Sequence, residues 1–498
     1  MASTPSPAPG SRLRSLLIVL ACAIAGALLF ALAGPRTAPL GPARGDETLA
    51  RDLRAALDRP DGYPAVSAAR LSGGKVTWAG FGDVTADSRF ELGSITKTFD
   101  GLLLADATQR GEVKLTDRLD AHLPELAGTP VGEVTLEELA SHRSGLPSLA
   151  RTDWAAIVVQ DLAGAALSDY TSSTPASLIE QVRTVPLTGR GTMQYSNLGA
   201  ALLGQALTRA AGVPDWPTLV HTRVFDRLGM TATHIAPAGS PAPDLMQPHQ
   251  SNGHAIEPWT GLGYAPAGLG VTTTASDLAR YAQAILDGKA PGMSALDPRW
   301  PTSIPGNEIG LAWMVASPDD RPVVWHNGGT GGTRTALMID RKAGTAALVL
   351  TNTSVDVTGT AARLVHRPEA WSLPPMPVDT DTVGWVAIGL VVVLVAAWAA
   401  VLGRSRTRIV GQLLGAAGAV LLWWIAAPWD WSPAWLFGAA LGLTVGGVVA
   451  TVLRWGSLPW RPPRRAWLAV VAGVLGVAWF AAMVAVAVAV GVAASSVA

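Results

Sequence analysis

The stretch FELGSITKTFDGLLL, residues 90–104, carries the pattern that decides the fold of this 498-residue chain. Within it, Ser94 and Lys97 stand three positions apart. Apolar residues recur at helical spacing from position 95 to 103, and Gly111 ends the run. The pattern predicts a helix with the hydroxyl and the amine on one side, one turn apart. A serine at a helix N-terminus lies where backbone N–H groups and the helix dipole favour developing negative charge.

The pair is suited to nucleophilic chemistry, because a serine needs a base and a neutral lysine can act as one. Burial and nearby positive dipoles lower a lysine pKa towards neutrality. The same Ser-x-x-Lys pattern occurs at residues 72–75, where two glycines indicate a hairpin turn that cannot hold the pair rigidly. The pattern is therefore weak alone and needs companions.

Two companion motifs follow. Tyr-Ser-Asn at residues 195–197 is the only Y-x-N among five tyrosines, and it directly precedes a helical pattern over 198–211. His-Asn-Gly-Gly at residues 326–329 ends a predicted strand and precedes another glycine-rich stretch. No Walker A, convincing dinucleotide fingerprint, G-x-S-x-G elbow or H-E-x-x-H pairing is present, so no cofactor and no metal are predicted.

The order of the predicted elements gives the fold class. Strand patterns cover residues 64–71, 75–82, 309–316, 323–326, 333–340 and 345–353, and helical patterns and long loops fill 94 to about 300. Helical patterns also cover 49–57 and 357–366. Strands at both ends with helices between them predict an α+β domain with one largely antiparallel sheet and an inserted helical subdomain.

In combination, these motifs resemble the serine β-lactamase/penicillin-binding-protein superfamily, in particular its class C-like branch of β-lactamases, D-Ala-D-Ala carboxypeptidases and esterases. Further segments are similar to that branch and follow the family order, at residues 90–93, 141–147, 225–231, 266–270 and 276–280. The resemblance covers about residues 48–366. It implies a β-lactamase/transpeptidase-like fold with an α+β architecture.

The resemblance also implies roles for individual residues. Ser94 is the acylated nucleophile and Lys97 activates it, while Tyr195 carries the proton to the leaving group and helps activate the deacylating water. Asn197 is a substrate-binding residue that contacts Lys97 or the substrate amide. A lysine and a tyrosine together can relay one proton through acylation and deacylation.

Three further substrate-binding residues are implied on the third motif, namely His326, Gly328 and Gly329. His326 opens the motif on the strand that lines the site, and the N–H groups of Ser94 and Gly329 form the oxyanion hole.

The third motif departs from the best-known members, which have Lys-Thr-Gly where this chain has His326-Asn327-Gly328. Histidine is largely neutral at pH 7, so recognition of a substrate carboxylate is weakened. Arg334 is the nearby cation that could substitute, although a surface role is the simpler interpretation. His142 is interpreted as a structural residue.

An uncharged run at residues 16–33 follows Arg12 and Arg14 and is about long enough to cross ~30 Å of hydrocarbon. We prefer an uncleaved anchor. The alternative is a secretory signal cleaved after the A-x-A motif at residues 31–33.

Four further apolar stretches are predicted as membrane helices, at residues 383–403, 409–427, 434–453 and 466–494. Arginines fill the first and third connectors and are absent from the second, which places residues 34–382 outside the cytoplasm. The stretches carry no ionisable side chain, so an anchor is favoured over a transporter. The predicted organisation is cytoplasmic 1–15, anchor or signal 16–33, linker 34–47, external hydrolase domain 48–366, Pro-rich linker 367–382 and membrane domain 383–498.

Composition limits the partners. The 37 basic residues balance 37 acidic ones, which argues against a nucleic-acid partner. A single cysteine excludes a disulfide framework. The Arg-, Ala- and Gly-rich composition is typical of a high-GC bacterial genome. The oligomeric state is left open.

The sequence therefore predicts a multi-pass cell-membrane protein with an extracytoplasmic serine hydrolase that acts through a Ser acyl-enzyme on an amide or ester. The preferred substrate is a cell-wall-type D-amino-acid peptide, and the expected partners are a small peptide, β-lactam or ester and the lipid bilayer. The alternatives are a small-ester esterase and a penicillin- or peptidoglycan-binding receptor that acylates without turnover.

Overall fold

The computed structural model describes residues 9–34, 38–59, 61–150, 173–250, 253, 255–302, 304–317, 320–366, 378–403, 405–426 and 433–460. They fall into two compact units. One unit lies within residues 38–366, and the other combines residues 9–34 with residues 378–460.

The strands of the first unit build two sheets. In chain order they are β1 Ala43–Gly45, β2 Val66–Ser72, β3 Lys75–Phe81, β4 Arg89–Glu91, β5 His234–Ile235, β6 Val271–Thr274, β7 Trp300–Pro301, β8 Asn307–Ile309, β9 Met314–Ala316, β10 Val323–Gly329, β11 Arg334–Asp340 and β12 Thr345–Thr351. The larger sheet has nine strands in the order β1-β3-β2-β12-β11-β10-β9-β8-β7, and the smaller has the order β4-β6-β5. Every ladder between these strands is antiparallel.

The α-helices of the described residues are α1 Pro9–Ala33, α2 Glu47–Ala56, α3 Lys97–Gln109, α4 Leu136–Ala140, α5 Pro175–Val182, α6 Asn197–Ala210, α7 Trp216–Val220, α8 Asp226–Leu228, α9 Ala275–Leu286, α10 Thr358–Leu364, α11 Val378–Leu402, α12 Arg406–Ala426 and α13 Ala434–Leu453. Most of those in the first unit lie in the chain between β3 and β7, where the sequence predicts helices and loops.

The large sheet is covered on both faces because alternate residues of a strand point to opposite sides. On β12, Leu348 and Leu350 belong to the hydrophobic core that also contains the apolar residues of α3 and α9. Ala347 and Val349 belong to the second core, together with the apolar residues of α2 and α10. The unit is therefore built as helix, sheet and helix layers, and the predicted α+β class with its antiparallel sheet is confirmed.

Two local predictions differ from the structure. The single strand predicted over residues 309–316 is wrong, because β8 and β9 form a hairpin that turns at Ala312, whose φ is +60°. The small sheet was not predicted. Its strands are two to four residues long, too short for an alternating pattern to stand out.

In the second unit, two helical segments of the described residues are long and apolar enough to cross a membrane, Arg12–Ala33 and Ala434–Leu453. A shorter apolar segment covers Gly389–Leu402. Helices α11 to α13 fall on the first three predicted stretches, and the fourth stretch, residues 466–494, lies outside the described residues. The segment Arg12–Ala33 overlaps the predicted anchor or signal, and Ala434–Leu453 is one of the four predicted C-terminal helices, so the four-helix transmembrane segment is not confirmed.

Helices α1 and α13 pack closely along a seam of glycines. A Cβ atom at Gly438 would meet the backbone oxygen of Gly26, and one at Gly442 would meet that of Cys22. At Gly446 a Cβ would lie 3.0 Å from the Cys22 Cβ. Only glycine permits this approach, which is how small residues bring membrane helices together.

Candidate active site

Ser94 and Lys97 lie at the junction between a short 3-10 helix, Gly93–Thr96, and the first residue of α3. The Lys97 side chain is fully buried, and Ser94 is 5% exposed. Lys97 Nζ lies 2.8 Å from Ser94 Oγ and donates a second hydrogen bond, also 2.8 Å long, to the backbone oxygen of Ala267. The predicted one-turn spacing of hydroxyl and amine is thus present, with a backbone carbonyl fixing the amine.

The electrostatics around Lys97 favour its neutral form. Burial lowers the pKa of Lys97 to about 7, and the nearby Asp100 only partly opposes this shift. Burial raises the pKa of Asp100 well above its usual range, although Trp216 Nε1 donates to its carboxyl at 2.7 Å. A lysine that loses its proton near neutral pH meets the requirement for a base beside a serine.

Tyr195 joins this pair from the segment that precedes α6. Lys97 Nζ lies 5.0 Å from the centroid of the Tyr195 ring. Burial raises the pKa of Tyr195, and the neighbouring Ser94 side chain opposes the shift. The phenol oxygen is buried and has no aligned hydrogen-bond partner among the described residues. The structure therefore brings the three predicted catalytic side chains together.

His326 lies buried on β10, the strand that carries the third motif. Its Nδ1 lies 2.6 Å from the backbone oxygen of Asn327. Because a carbonyl only accepts, Nδ1 carries the proton of the neutral ring and Nε2 carries a lone pair. Burial and the charge of Lys97 lower the pKa of His326 to about 3. His326 is therefore uncharged at neutral pH, in line with the expected departure from a lysine at this position.

The end of β10 packs directly on the turn that carries Ser94. A Cβ at Gly93, whose φ is +61°, would lie 2.5 Å from Gly329 N. A Cβ at Gly328 would meet the backbone oxygen of Leu92 and lie 3.1 Å from Ser94 N. The absence of a side chain at these two glycines lets the two backbone segments come this close, which brings Ser94 N and Gly329 N into the same backbone contact.

Asn197 makes no hydrogen bond to Lys97, the first of the two contacts expected for it. Its side-chain nitrogen donates to Ser148 Oγ at 3.0 Å, whereas the Lys97 hydrogen bonds go to Ser94 and Ala267. The preceding Ser196 caps α6 by accepting from Gly199 N at 2.9 Å. Asn197 is thus held at the helix start beside the tyrosine, away from a direct bond to the lysine.

Glu91 is a site residue that the sequence analysis did not identify. Its carboxyl is 2% exposed and accepts from Trp259 N at 2.7 Å, Thr330 Oγ1 at 2.6 Å and Thr333 Oγ1 at 3.3 Å. Burial raises its pKa to about 7. Glu91 therefore ties the glycine-rich loop after β10 to the segment that leads into Ser94. An acid among apolar residues three positions before the serine was the available signal.

Arg334 also contacts the glycine-rich loop after β10. Its Nη1 donates to the backbone oxygens of Thr330 and Thr333, at 2.7 and 3.0 Å. The side chain is only partly exposed, so the simple surface interpretation is wrong.

His142 is the second residue whose position the sequence did not reveal. Its ring centroid lies 4.4 Å from that of Tyr195. It belongs to the segment 141–147 that resembles the family, and this was the only signal for it.

Among the described residues, no group of three or more His, Cys, Asp or Glu side chains is placed to hold a metal ion. The second Ser-x-x-Lys pattern lies in the β2–β3 hairpin, where Gly73 and Gly74 have φ values of +58° and +75°. Its rejection as a catalytic pair agrees with that hairpin.

Curated relatives match part of the chain. A β-lactamase of Escherichia coli (strain K12) is 30% identical over 233 residues, which is 45% of this chain and 56% of the relative. A β-lactamase of Lysobacter lactamgenus is 26% identical over 233 residues, 46% of this chain and 53% of the relative. The chain thus spans about half the length of these relatives.

Solved structures share the fold. A D-alanine carboxypeptidase from Burkholderia cenocepacia is 23% identical with a TM-score of 0.53, covering 64% of this chain and 99% of that one. A β-lactamase/D-alanine carboxypeptidase from Pseudomonas syringae is 19% identical with a TM-score of 0.52, covering 66% and 98%. The family model described as Beta-lactamase matches residues 51–368. Since this match covers more than half of the sequence, the chain belongs to the Beta-lactamase family.

Proposed function

We propose that this protein is a serine hydrolase that cleaves an amide or ester through an acyl-enzyme on Ser94. The observation that carries the proposal is the buried Lys97, whose amine lies 2.8 Å from the serine hydroxyl and whose pKa is lowered to about 7. A neutral amine at this distance can accept the hydroxyl proton as the oxygen attacks a carbonyl carbon.

The remaining residues supply the other parts of the reaction. The N–H groups of Ser94 and Gly329 stabilise the oxyanion that forms on the carbonyl oxygen. The proton on Lys97 passes through the Tyr195 hydroxyl to the leaving group, whose bond to the acyl carbon breaks. A water then attacks the acyl carbon and gives a proton to the same two residues. The bond between the acyl carbon and Ser94 Oγ breaks, Oγ receives that proton, and the free acid leaves.

We take a cell-wall-type D-amino-acid peptide as the preferred substrate. The support is the likeness to proteins that are named β-lactamase and D-alanine carboxypeptidase. A β-lactam is an alternative acyl donor for the same chemistry.

A small ester is the second candidate, and one observation favours it. His326, which stands where the best-known family members have a lysine, is buried and its pKa is lowered to about 3. Arg334 already donates to two backbone carbonyls. A substrate without a carboxylate needs no fixed positive charge for its recognition, so the neutral His326 would not weaken its binding.

For the whole chain we propose a multi-pass membrane protein with its hydrolase domain outside the cytoplasm. Two apolar helical segments of sufficient length and the glycine seam between α1 and α13 support this. The seam favours the uncleaved anchor over a removed signal, because α13 presents a face shaped for α1. The predicted domain bounds are kept as part of the proposal.

The test uses the full chain in detergent, incubated separately with a labelled penicillin, a D-Ala-D-Ala peptide and a short-chain p-nitrophenyl ester. Turnover of the peptide supports the preferred substrate, and turnover of the ester alone supports the second candidate. A stable penicillin adduct together with no turnover of either the peptide or the ester overturns the hydrolase and leaves a receptor. No adduct and no turnover with any probe overturns the mechanism altogether.

A further inference from the structure

His142 lies in the turn that follows α4, in a backbone conformation that few residues adopt. Its φ is +56°, in the left-handed region, and the residue is 1% exposed. A histidine in this region is strained relative to glycine, and such residues persist only where the surroundings hold them. The conformation at His142 therefore needs a local explanation.

The contacts of His142 converge on the two neighbours of Tyr195. Gln194 N donates to the backbone oxygen of His142 at 2.7 Å, and Ser196 N donates to its Nδ1 at 3.2 Å. The imidazole ring lies against the phenol ring, with centroids 4.4 Å apart and planes tilted by 40°. One residue thus fixes the backbone on both sides of Tyr195 and supports the ring between them.

The imidazole makes these contacts only when it is neutral. Because Nδ1 accepts from Ser196 N, the ring proton is on Nε2. Burial lowers the pKa of His142 well below its usual range, and the positive charges that Lys97 and His326 carry when protonated act in the same direction. A protonated ring would lose the bond to Ser196 and add a positive charge near Lys97. The imidazole ring that packs against the Tyr195 ring is therefore uncharged.

We propose that His142 is the positioning residue of Tyr195, which it holds at the distance that proton transfer to and from Ser94 requires. This inference rests on the proposed function. Proton relays are sensitive to geometry, since a displacement of about 1 Å costs up to about 100-fold in rate. A residue that holds three consecutive positions is able to set that geometry.

The test measures kcat and KM for p-nitrophenyl acetate with the full-length protein in detergent. His142→Asn and His142→Gly suit the left-handed backbone, so both retain the fold while they remove the ring. His366→Asn is the matched control, because His366 has a φ of +59° and is exposed. We expect kcat to fall about 10- to 100-fold in both His142 variants with KM nearly unchanged, and no change in His366→Asn.

A double-mutant cycle with Tyr195→Phe separates positioning from a structural role. If His142 acts through Tyr195, adding His142→Asn to Tyr195→Phe lowers kcat by less than about 3-fold. Independent effects that multiply would overturn the inference, as would a loss in His142→Asn no larger than in the control. Thermal unfolding of each variant gives its folded fraction at the assay temperature, and each kcat is calculated per folded molecule. If Ser94→Ala still turns over the ester, the proposed function fails instead, whatever the His142 variants do.

Discussion

Lys97 Nζ and Ser94 Oγ lie 2.8 Å apart inside the protein, and the same nitrogen donates to the backbone oxygen of Ala267. The carbonyl restricts where the amine points, and burial lowers the pKa of Lys97 to about 7. Geometry and protonation state are thus set by the same surroundings.

The rate of ester cleavage is expected to rise with pH through about 7, because only the neutral lysine accepts the serine proton. Lys97→Ala is expected to lower kcat/KM by at least about 100-fold. Lys97→Arg is expected to do the same, since arginine stays protonated. Initial rates between about pH 5 and about pH 9 measure both effects. Lys75→Ala, in the hairpin copy of the motif, is the control and stays fully active. A flat pH profile or an active Lys97→Arg contradicts the assignment.

Gly328→Ala is expected to lower kcat strongly while the fold survives. The new Cβ would meet the backbone oxygen of Leu92 and push β10 away from Ser94, which would widen the proposed oxyanion hole. Loss of one oxyanion-hole donor costs about 100- to 1,000-fold in kcat. Gly456→Ala is the control, because a Cβ there meets nothing within 4 Å and, as at Gly328, the backbone is not left-handed. Equal activities of the two variants would show that the close approach has no catalytic role.

Glu91 is expected to make stability depend on pH. Its pKa is raised to about 7 in the folded protein, so the folded state holds the proton more tightly than the unfolded chain. That contribution is fully present below the unfolded pKa of about 4.3 and is lost as pH rises through about 7. Glu91→Gln, which is neutral at every pH, is expected to weaken the fall in Tm between pH 5 and pH 8.

Thermal unfolding of wild type, Glu91→Gln and Glu180→Gln across this pH range measures the effect. Glu180 is the control because its side chain is 78% exposed. Parallel Tm curves for wild type and Glu91→Gln would contradict the prediction.

The glycine seam predicts a specific crosslink between α1 and α13. Cys22 is the only cysteine of the chain, and a Cβ at Gly446 would lie 3.0 Å from its Cβ. Disulfides need a Cβ–Cβ separation of about 3.5–4.5 Å, which a small shift provides. Mild oxidation of Gly446→Cys is therefore expected to join the two helices.

The crosslink is read on a non-reducing gel after proteolysis between the helices. Gly389→Cys, where a Cβ would contact α12 at Ala419, is the control and stays uncrosslinked. Absence of a crosslink in Gly446→Cys, or loss of the N-terminal helix from the mature protein, contradicts a retained anchor.

The features that could be predicted from the sequence are those set by residues close together in the chain. The Ser94–Lys97 spacing follows from helix geometry over three residues, and the hairpin at residues 72–75 follows from its glycines. Tyr195 and His326 lie far from Ser94 in the chain, so only the family resemblance connected them to it.

The residues that the sequence analysis did not identify make contacts that no short sequence pattern indicates. Ala267 contributes a backbone oxygen to Lys97 across 170 positions. His142 acts through a left-handed backbone, and Glu91 through bonds to a loop about 240 positions away. The small sheet was missed for the same reason, since its short strands pair across distant parts of the chain.

The central claim is that Ser94 becomes covalently acylated. The most direct measurement is the intact mass of the full-length protein quenched in acid during reaction with p-nitrophenyl acetate and with a labelled penicillin, followed by peptide mapping. The account predicts an acyl-sized mass increase located on the peptide that contains Ser94, and none in Ser94→Ala. An adduct on a different residue, or undiminished turnover by Ser94→Ala, would contradict it.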